Sequence, residues 1–281
     1  MMAGTQDKQR EFAFSGRDFN ELRQLTKEFT GIDLNDGKED MVYGRLTKRL
    51  RALGLGGFKD YIKLLKQDPD GDEMLSFTNS MTTNLTAFFR ESHHFDHLKN
   101  TVLPHLMQTN RGSRRIRIWS AGCSTGEEPY SIAMTVAETL PPGWDVKILA
   151  TDMDSNVLAT GSAGVYCESR LAGIEERKLK KWFTKGTGDN KGMVRAKPEL
   201  RDMISFKRLN LMHEWPLKGP LDVIFCRNVI IYFDPETKAK LIDRYFDLLA
   251  DHGTLFVGHS ETLFGVTDRA KLVGKTIYEK K

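Results

Sequence analysis

Apolar positions recur at helical spacing over the first third of the chain, then give way to short apolar runs. Ser15 and Asp18 predict a capping box, because a serine hydroxyl and a carboxylate satisfy the first free amides of a helix. Phe19, Leu22, Leu25 and Phe29 line one face of that helix, and Gly31 supplies its stop. A second helix is predicted from Lys38 to Leu53, with Val42, Leu46, Leu50 and Leu53 on one side and Arg45, Lys48, Arg49 and Arg51 pointing elsewhere. "GFKDYIKLLKQDPDG" predicts a third helix and "DEMLSFTNSMTTN" begins a fourth, so the chain reads as helix after helix as far as Leu106.

From Arg115 the texture changes. "RIRIWSAG" predicts a strand, "EPYSIAMTVAETL" a helix, "DVKILATDMD" a strand and "DSNVLATGSAG" a short helix. "LDVIFCRNVIIYF" holds another strand, and "PETKAKLIDRYFDLLADHG" predicts an amphipathic helix closed by Gly253. "TLFVGHSE" and "AKLVGKTIYEKK" complete the set as two strands. This alternation argues for an α/β fold with a mostly parallel twisted sheet and helices on both faces. One block interrupts the rhythm at about 165–207, where turn chemistry between short strand-like flanks predicts an inserted β-rich subdomain. The organisation expected is a helical domain with its linker over 1–95 and an α/β domain over 96–281.

Composition narrows the function classes. The 281 residues suffice for two modest cores, and 42 basic against 38 acidic residues give a net charge of only +4, too small to imply nucleic acid as a partner. Cys123, Cys167 and Cys226 are odd in number and widely spaced, with no metal-ligand pairing and no disulfide framework. No metal is expected. Reduced thiols fit a cytoplasmic protein. "MMAGTQDKQREFAF" lacks an apolar core of signal-peptide length, and no later run is long enough to insert in a membrane.

The turn in "IWSAGCSTGEEPYSIAM" is the strongest chemical signal, and four ligand chemistries compete for it. A phosphate loop needs a lysine after its last glycine, but Gly126 is followed by Glu127 and Glu128, which repel phosphate. A dinucleotide site meets the same two acids, and the spacing Gly122-x-Ser124-x-Gly126 is not that of its fingerprint. The spacing does match a nucleophile elbow, and Asp222 and His259 follow in hydrolase order, yet only helices precede this turn where an elbow follows several strands. S-adenosylmethionine, which carries no phosphate, tolerates the acids, and Asp152 at the end of the next strand can accept hydrogen bonds from both ribose hydroxyls. The competing role for Asp152 is as a cap of the helix starting near Asp154. Turn and acid together favour the cofactor.

Five segments, "TNLTAFFRESHHF", "WSAGCSTGEEPYSIAM", "LATDMD", "FKRLNL" and "FCRNVIIYF", resemble those of CheR-type methyltransferases, which methylate glutamates of bacterial chemoreceptors. The resemblance implies a class I methyltransferase, Rossmann-like domain carrying a small antiparallel β-subdomain behind an N-terminal all-helical domain. It implies that Asn84, Thr86 and Arg90 reach the cofactor from the linker, with Arg90 on the methionyl carboxylate. Ala121, Gly122 and Glu127 at the turn, and Asp152 with Met153 at the next strand, join the cofactor set. Asn210 and Leu211 would border adenine, Arg227 and Asn228 the methionyl end, and Tyr232 the transferred methyl. Arg90, Arg227 and Tyr232 are thereby the catalytic candidates. Each has an ordinary alternative: Arg90 pairing with Glu91, Asn210 as a turn residue, Tyr232 as core with its hydroxyl on backbone.

The implied reaction is an in-line displacement by a glutamate already ionised near neutral pH, so no general base is needed. Proximity and exclusion of water would carry the catalysis, with Tyr232 rather than Arg227 closest to the acceptor, because a strong arginine bond blunts a nucleophile. The expected product is S-adenosylhomocysteine. In this setting Arg45, Lys48, Arg49 and Arg51 form a docking face for acidic receptor methylation helices, and the β-subdomain is a candidate site for a receptor's C-terminal pentapeptide. Such an enzyme works in the bacterial cytoplasm, recruited to membrane receptor arrays. Two rival functions remain. A nucleic-acid methyltransferase is disfavoured by Cys226-Arg227-Asn228-Val229 where adenine-targeting enzymes carry an Asn/Asp-Pro-Pro-Tyr run, and a non-catalytic cofactor-sensing docking protein would have kept the same pocket.

Overall fold

The computed structural model describes residues 10–281, so the leader-free reading of residues 1–9 lies outside the described residues. The chain divides into two compact units, one running up to Thr82 and one from Thr83 to Lys281. That division falls earlier than the expected 95/96 boundary, and residues 83–95 belong to the second unit.

The first unit holds α1 (Gly16–Thr30), α2 (Glu39–Leu53), α3 (Phe58–Gln67) and α4 (Asp72–Met81). The α1 cap is the reciprocal box its sequence predicts: Asp18 N–H donates to the Ser15 hydroxyl at 3.3 Å, and Ser15 N–H donates to the Asp18 carboxylate at 2.8 Å. Gly31, at φ 76°, ends the helix in the left-handed conformation that glycine adopts without strain. Phe19, Leu22, Leu46, Leu50, Tyr61, Leu65 and Phe77 are buried, so the apolar stripes read from the sequence form this unit's core, except that Leu53 is exposed and Phe29 only half-buried.

Helix does not follow helix without a break. Residues 82–87 are non-helical, and turns run on through Ser92. In this stretch the buried Phe88 ring packs edge-on against Tyr166 and Phe183 and anchors the segment to the second unit's core. A helical run then follows as α5 (His93–His97), a π-helical turn over Leu98–Val102 and α6 (Leu103–Thr109).

The sheet of the second unit is built from β1 (Arg115–Ala121), β2 (Asp145–Asp152), β6 (Ile204–Arg208), β7 (Leu221–Cys226), β8 (Leu249–Val257), β9 (Ala270–Gly274) and β10 (Ile277–Lys280). Its order is β6-β2-β1-β7-β8-β10-β9, with β10 antiparallel to both of its neighbours and the strands from β6 to β8 parallel. Alternation along β1 sends Ile116 and Ile118 into one core, and Trp119 and Ala121 into another. Phe95, Leu98, Ile132 and Met134 of α5 to α7 (Glu127–Thr139) share the first core. Leu241, Ile242, Tyr245 and Phe246, which belong to the last helix, fill the other. A central strand covered on both faces must be apolar almost throughout, as "IRIWSA" is. α8 (Ser155–Ala163) links β2 to the inserted block.

That block is a three-stranded antiparallel sheet, β3 (Val165–Cys167), β5 (Met193–Ala196) and β4 (Phe183–Lys185) in spatial order, with α9 (Glu176–Trp182) and α10 (Pro198–Arg201) beside it. Because β6 pairs with β2 in the main sheet, the insertion ends before Ile204 rather than at 207.

Two other expectations are corrected. The helix α11 (Pro235–Leu248) stops before Gly253, which lies inside β8. The register jumps from Leu221 opposite Leu249 to Val223 opposite Thr254, so "ADHG" is a bulge, with His252 at φ 61°. "AKLVGKTIYEKK" is a hairpin rather than one strand, turning through Thr276 at φ 55°. Among the described residues no helix is long and apolar enough to cross a membrane.

Candidate functional site

Four parallel strands deliver most of the expected cofactor residues to one edge of the sheet, where loops leave their C-terminal ends. After β1 the chain turns through Gly122 at φ 84° and Gly126 at φ 97°. A Cβ on Gly122 would lie 2.4 Å from a methyl of Val229, so glycine is required there for conformation and for space. Gly122 and Cys123 donate their N–H groups to the Thr151 carbonyl at 2.8 and 2.9 Å. Ser124 N–H donates to Asp152 Oδ2 at 2.8 Å, and Asp154 N–H to Asp152 Oδ1 at 3.0 Å. Asp152 thus holds the turn, while the α8 cap is Asp154, which accepts from Asn156 N–H. Burial pushes the Asp152 carboxyl up, opposed by those backbone bonds. It is 9% exposed, and each oxygen retains a further lone pair.

The nucleophile-elbow reading fails on geometry. The Ser124 hydroxyl donates to the Asn84 carbonyl at 3.0 Å. Asp222 accepts from Arg117 N–H at 2.7 Å, at the far end of the strands. Ser124 lies past the end of β1, whose four steps from Arg117 to Ala121 alone span roughly 13 Å, so no triad forms. His259 is exposed.

The two glutamates after the turn have different partners. Glu127, fully buried, accepts from Arg170 of the insertion, with Nε at 3.1 Å, and from the Thr125 hydroxyl at 2.6 Å. Glu128 accepts from the Ser120 hydroxyl at 2.7 Å and lies 3.2 Å from Arg227. Burial raises the Glu128 carboxyl, and Arg227 pulls the other way. The Arg227 guanidinium is also 3.2 Å from Glu91 and donates to the Arg90 carbonyl. Burial disfavours the Glu91 charge as well, but the attraction and hydrogen bonding of Arg227 outweigh it and hold this carboxyl low. Arg227 Nε is buried with no hydrogen-bond partner among the described residues. Three carboxylates, Glu127, Glu128 and Glu91, therefore share two cations, Arg170 and Arg227, and the fourth, Asp152, is held by backbone amides alone. A phosphate is the wrong ligand for this set, whereas a cationic ligand bearing hydroxyls suits it.

Asn84 donates to Asp154 at 2.8 Å, beside the turn. Arg90 donates to the Leu85 carbonyl at 2.8 Å, and Glu91 faces Arg227, so the ordinary Arg90–Glu91 pairing is not found. Thr86 and Met153 are half-buried on the two segments that flank Asp152 and the turn. Leu209 N–H donates to the Asp152 carbonyl at 3.0 Å and brings Asn210 and Leu211 alongside; Asn210 also makes the turn bond expected of it, to Met212 N–H at 2.9 Å.

After β7, Asn228 adopts φ 58° and donates its side-chain amide to Glu91 at 3.3 Å. Tyr232 ends a short 3-10 turn, half-buried, with no hydrogen bond to its hydroxyl among the described residues, so the backbone-satisfied core reading does not apply. The sequence reading missed the residue that holds this loop. Glu261 accepts from Asn228 N–H at 2.9 Å, Ile231 N–H at 3.2 Å and Gly258 N–H. It also missed Arg170. Neither stands in a spacing that marks it.

Within the helical unit, three of the four basic docking candidates have internal partners. Arg45 donates to the Met81 carbonyl at 2.8 Å, Arg49 to Glu73 with Nε at 3.0 Å, and Arg51 to Glu11 with Nε at 3.1 Å. Lys48 is exposed and forms no ion pair among the described residues.

Comparison with known proteins places the chain in a family. Residues 84–279 match the family described as "CheR methyltransferase, SAM binding domain", and residues 17–82 its "all-alpha domain". The chain is 44% identical to the chemotaxis protein methyltransferase of Escherichia coli (strain K12), covering 95% of this chain and 91% of the relative. Chemotaxis protein methyltransferase 2 of Pseudomonas aeruginosa is also 44% identical, over 95% and 94% of the two chains. The chemotaxis protein methyltransferase of Salmonella typhimurium is 42% identical, over 95% and 91%.

Proposed function

Because the chain belongs to the CheR methyltransferase family, we propose that it transfers a methyl group from S-adenosylmethionine to glutamate side chains of bacterial chemoreceptors. The supporting observation is the excess of buried carboxylate around a glycine turn that no lysine serves. When bound, S-adenosylmethionine supplies an electrophilic methyl on a sulfonium.

The protein's own residues then position and desolvate. Asp152, with lone pairs to spare, accepts from ribose hydroxyls while it holds the turn. Arg90 takes the methionyl carboxylate through its guanidinium fork. Asn84, Thr86, Glu127, Asn210, Leu211 and Asn228 complete the wall. Arg227 stays between Glu91 and Glu128 and keeps the reaction edge in shape without gripping the acceptor. The Tyr232 hydroxyl donates to the incoming glutamate carboxylate, which is ionised near neutral pH and needs no base. Holding the reacting groups in line contributes up to about 7–11 kcal/mol in ideal cases, and exclusion of water favours a reaction in which opposite charges cancel.

Lys48 attracts acidic receptor helices, and β3 and β4, the edge strands of the inserted sheet, are where a receptor's C-terminal pentapeptide adds as a further strand. On this reading the enzyme works in the cytoplasm at membrane receptor arrays. The test incubates the protein with methyl-labelled S-adenosylmethionine and either receptor or nucleic acid. Label on receptor, released by mild alkali as a methyl ester releases it, is the expected result. Label on nucleic acid assigns a different methyltransferase, and no label on either leaves a docking protein.

A further inference from the structure

Glu261 is 2% exposed and carries a carboxylate among backbone amides. No lysine or arginine pairs with it among the described residues. Its Oε2 accepts from Asn228 N–H at 2.9 Å and from Gly258 N–H, and its Oε1 accepts from Ile231 N–H at 3.2 Å. The grip therefore falls on both sides of Val229 and Ile230. One pinned residue is Asn228, at φ 58° in the left-handed region that asparagine tolerates better than other non-glycine residues. The other, Ile231, immediately precedes Tyr232. Space is made for the contact at Gly258, where a Cβ would come 2.5 Å from Asn228 Nδ2 and 2.7 Å from Glu261 Oε2.

We propose that Glu261 is the positioning residue of the reaction loop, setting through the loop's two backbone amides at Asn228 and Ile231 the directions in which Asn228 and Tyr232 point. This rests on the reading of Tyr232 as the group that meets the acceptor. Glu261 itself touches neither cofactor nor acceptor. Replacing one oxygen by an amide removes an acceptor and presents a donor to an N–H group, so Glu261→Gln frees one side of the loop while keeping size and shape.

The test is a double-mutant cycle of Glu261→Gln and Tyr232→Phe on receptor methylation, with cofactor affinity from calorimetry and amide exchange of residues 226–232 as separate readouts. The expected result is a turnover at least tenfold lower for Glu261→Gln, with cofactor affinity within about threefold, and faster exchange in the loop. The losses do not multiply in the double variant, because a misdirected tyrosine hydroxyl has little left to lose. Glu261→Asp, which keeps the charge, recovers part of the turnover. Should Glu261→Gln fail to fold, Glu261→Asp enters the same cycle and is expected to be coupled to Tyr232→Phe. Normal turnover, or losses that multiply as for independent sites, would overturn the proposal. If the wild type transfers no methyl, the functional reading falls and the inference falls with it. An active wild type beside an equally active variant removes the inference alone.

Discussion

Two loops leave neighbouring parallel strands, β1 and β7, and each is fastened by one buried carboxylate from the next strand outward. Asp152 ends β2 and holds the glycine turn through Ser124; Glu261 follows β8 and holds the Asn228–Ile231 loop. Burial raises both carboxyls against the pull of backbone amides. They differ in what remains. Asp152 accepts two amides at 9% exposure, whereas Glu261 accepts three at 2%. A carboxylate with lone pairs to spare can both shape its loop and meet a ligand; a sealed one only shapes. On the proposed function, cofactor affinity belongs to the first clamp and turnover to the second.

The sharpest way to break this comparison acts where the loops meet, at Arg227, which bridges Glu128 after the turn and Glu91 beside the second loop. Arg227→Met leaves both acids buried without their cation, at an expected cost of about 3–5 kcal/mol in stability, read by denaturant unfolding. A cost below about 1 kcal/mol would mean that the cluster does not hold the edge. Next comes Asp152→Ala, expected to weaken S-adenosylmethionine at least 100-fold, roughly 3 kcal/mol, in calorimetry. If Glu261→Gln weakened it as much, the division of labour would be lost. Tyr232→Phe is expected to lower turnover roughly 10- to 30-fold with cofactor affinity unchanged. Equal loss of both would move Tyr232 into the cofactor wall.

A smaller effect follows from His94, which is fully buried 3.6 Å from Glu91 and is lowered from 6.5 to about 3, mainly by burial and then by Arg227 and His93. The unfolded chain protonates first, so stability is complete above pH 6.5 and falls as pH drops toward about 3, by up to about 1.4 kcal/mol per unit. The slope of unfolding free energy between pH 6 and about 4 should be shallower in His94→Gln; an identical slope would remove His94 from the linkage. Smallest is Lys48→Glu, expected to weaken receptor binding by up to about 1 kcal/mol at low salt and less at high salt. Arg49 is a poorer probe, because its pair with Glu73 belongs to the helical unit's own packing.

Why one loop is legible in the sequence and the other is not follows from where each clamp sits. Asp152 is the last residue of a strand with an unmistakable apolar run, two positions before a helix cap, so its place beside the turn can be counted out. Glu261 stands in "GHSETLF", a polar turn in which any carboxylate would read as solvated, and only the sheet order brings it to Asn228. The same limit hid Arg170, whose partner Glu127 lies in a different element, and it made the α2 face look freer than it is, since Glu11 and Glu73 are distant in sequence. "ADHG" carries the ordinary signature of a helix end, yet strand pairing with β7 overrides it and turns Gly253 into part of a bulge.

That this acidic edge presents a methyl group to a glutamate carboxylate is the proposal on which every role above depends. Its most direct test is mass spectrometry of a chemoreceptor cytoplasmic fragment after incubation with the protein and S-adenosylmethionine. The predicted result is one added methyl on each modified glutamate side chain, lost in mild alkali and absent with Asp152→Ala. A fragment that gains no methyl, or gains one that alkali does not remove, would contradict it.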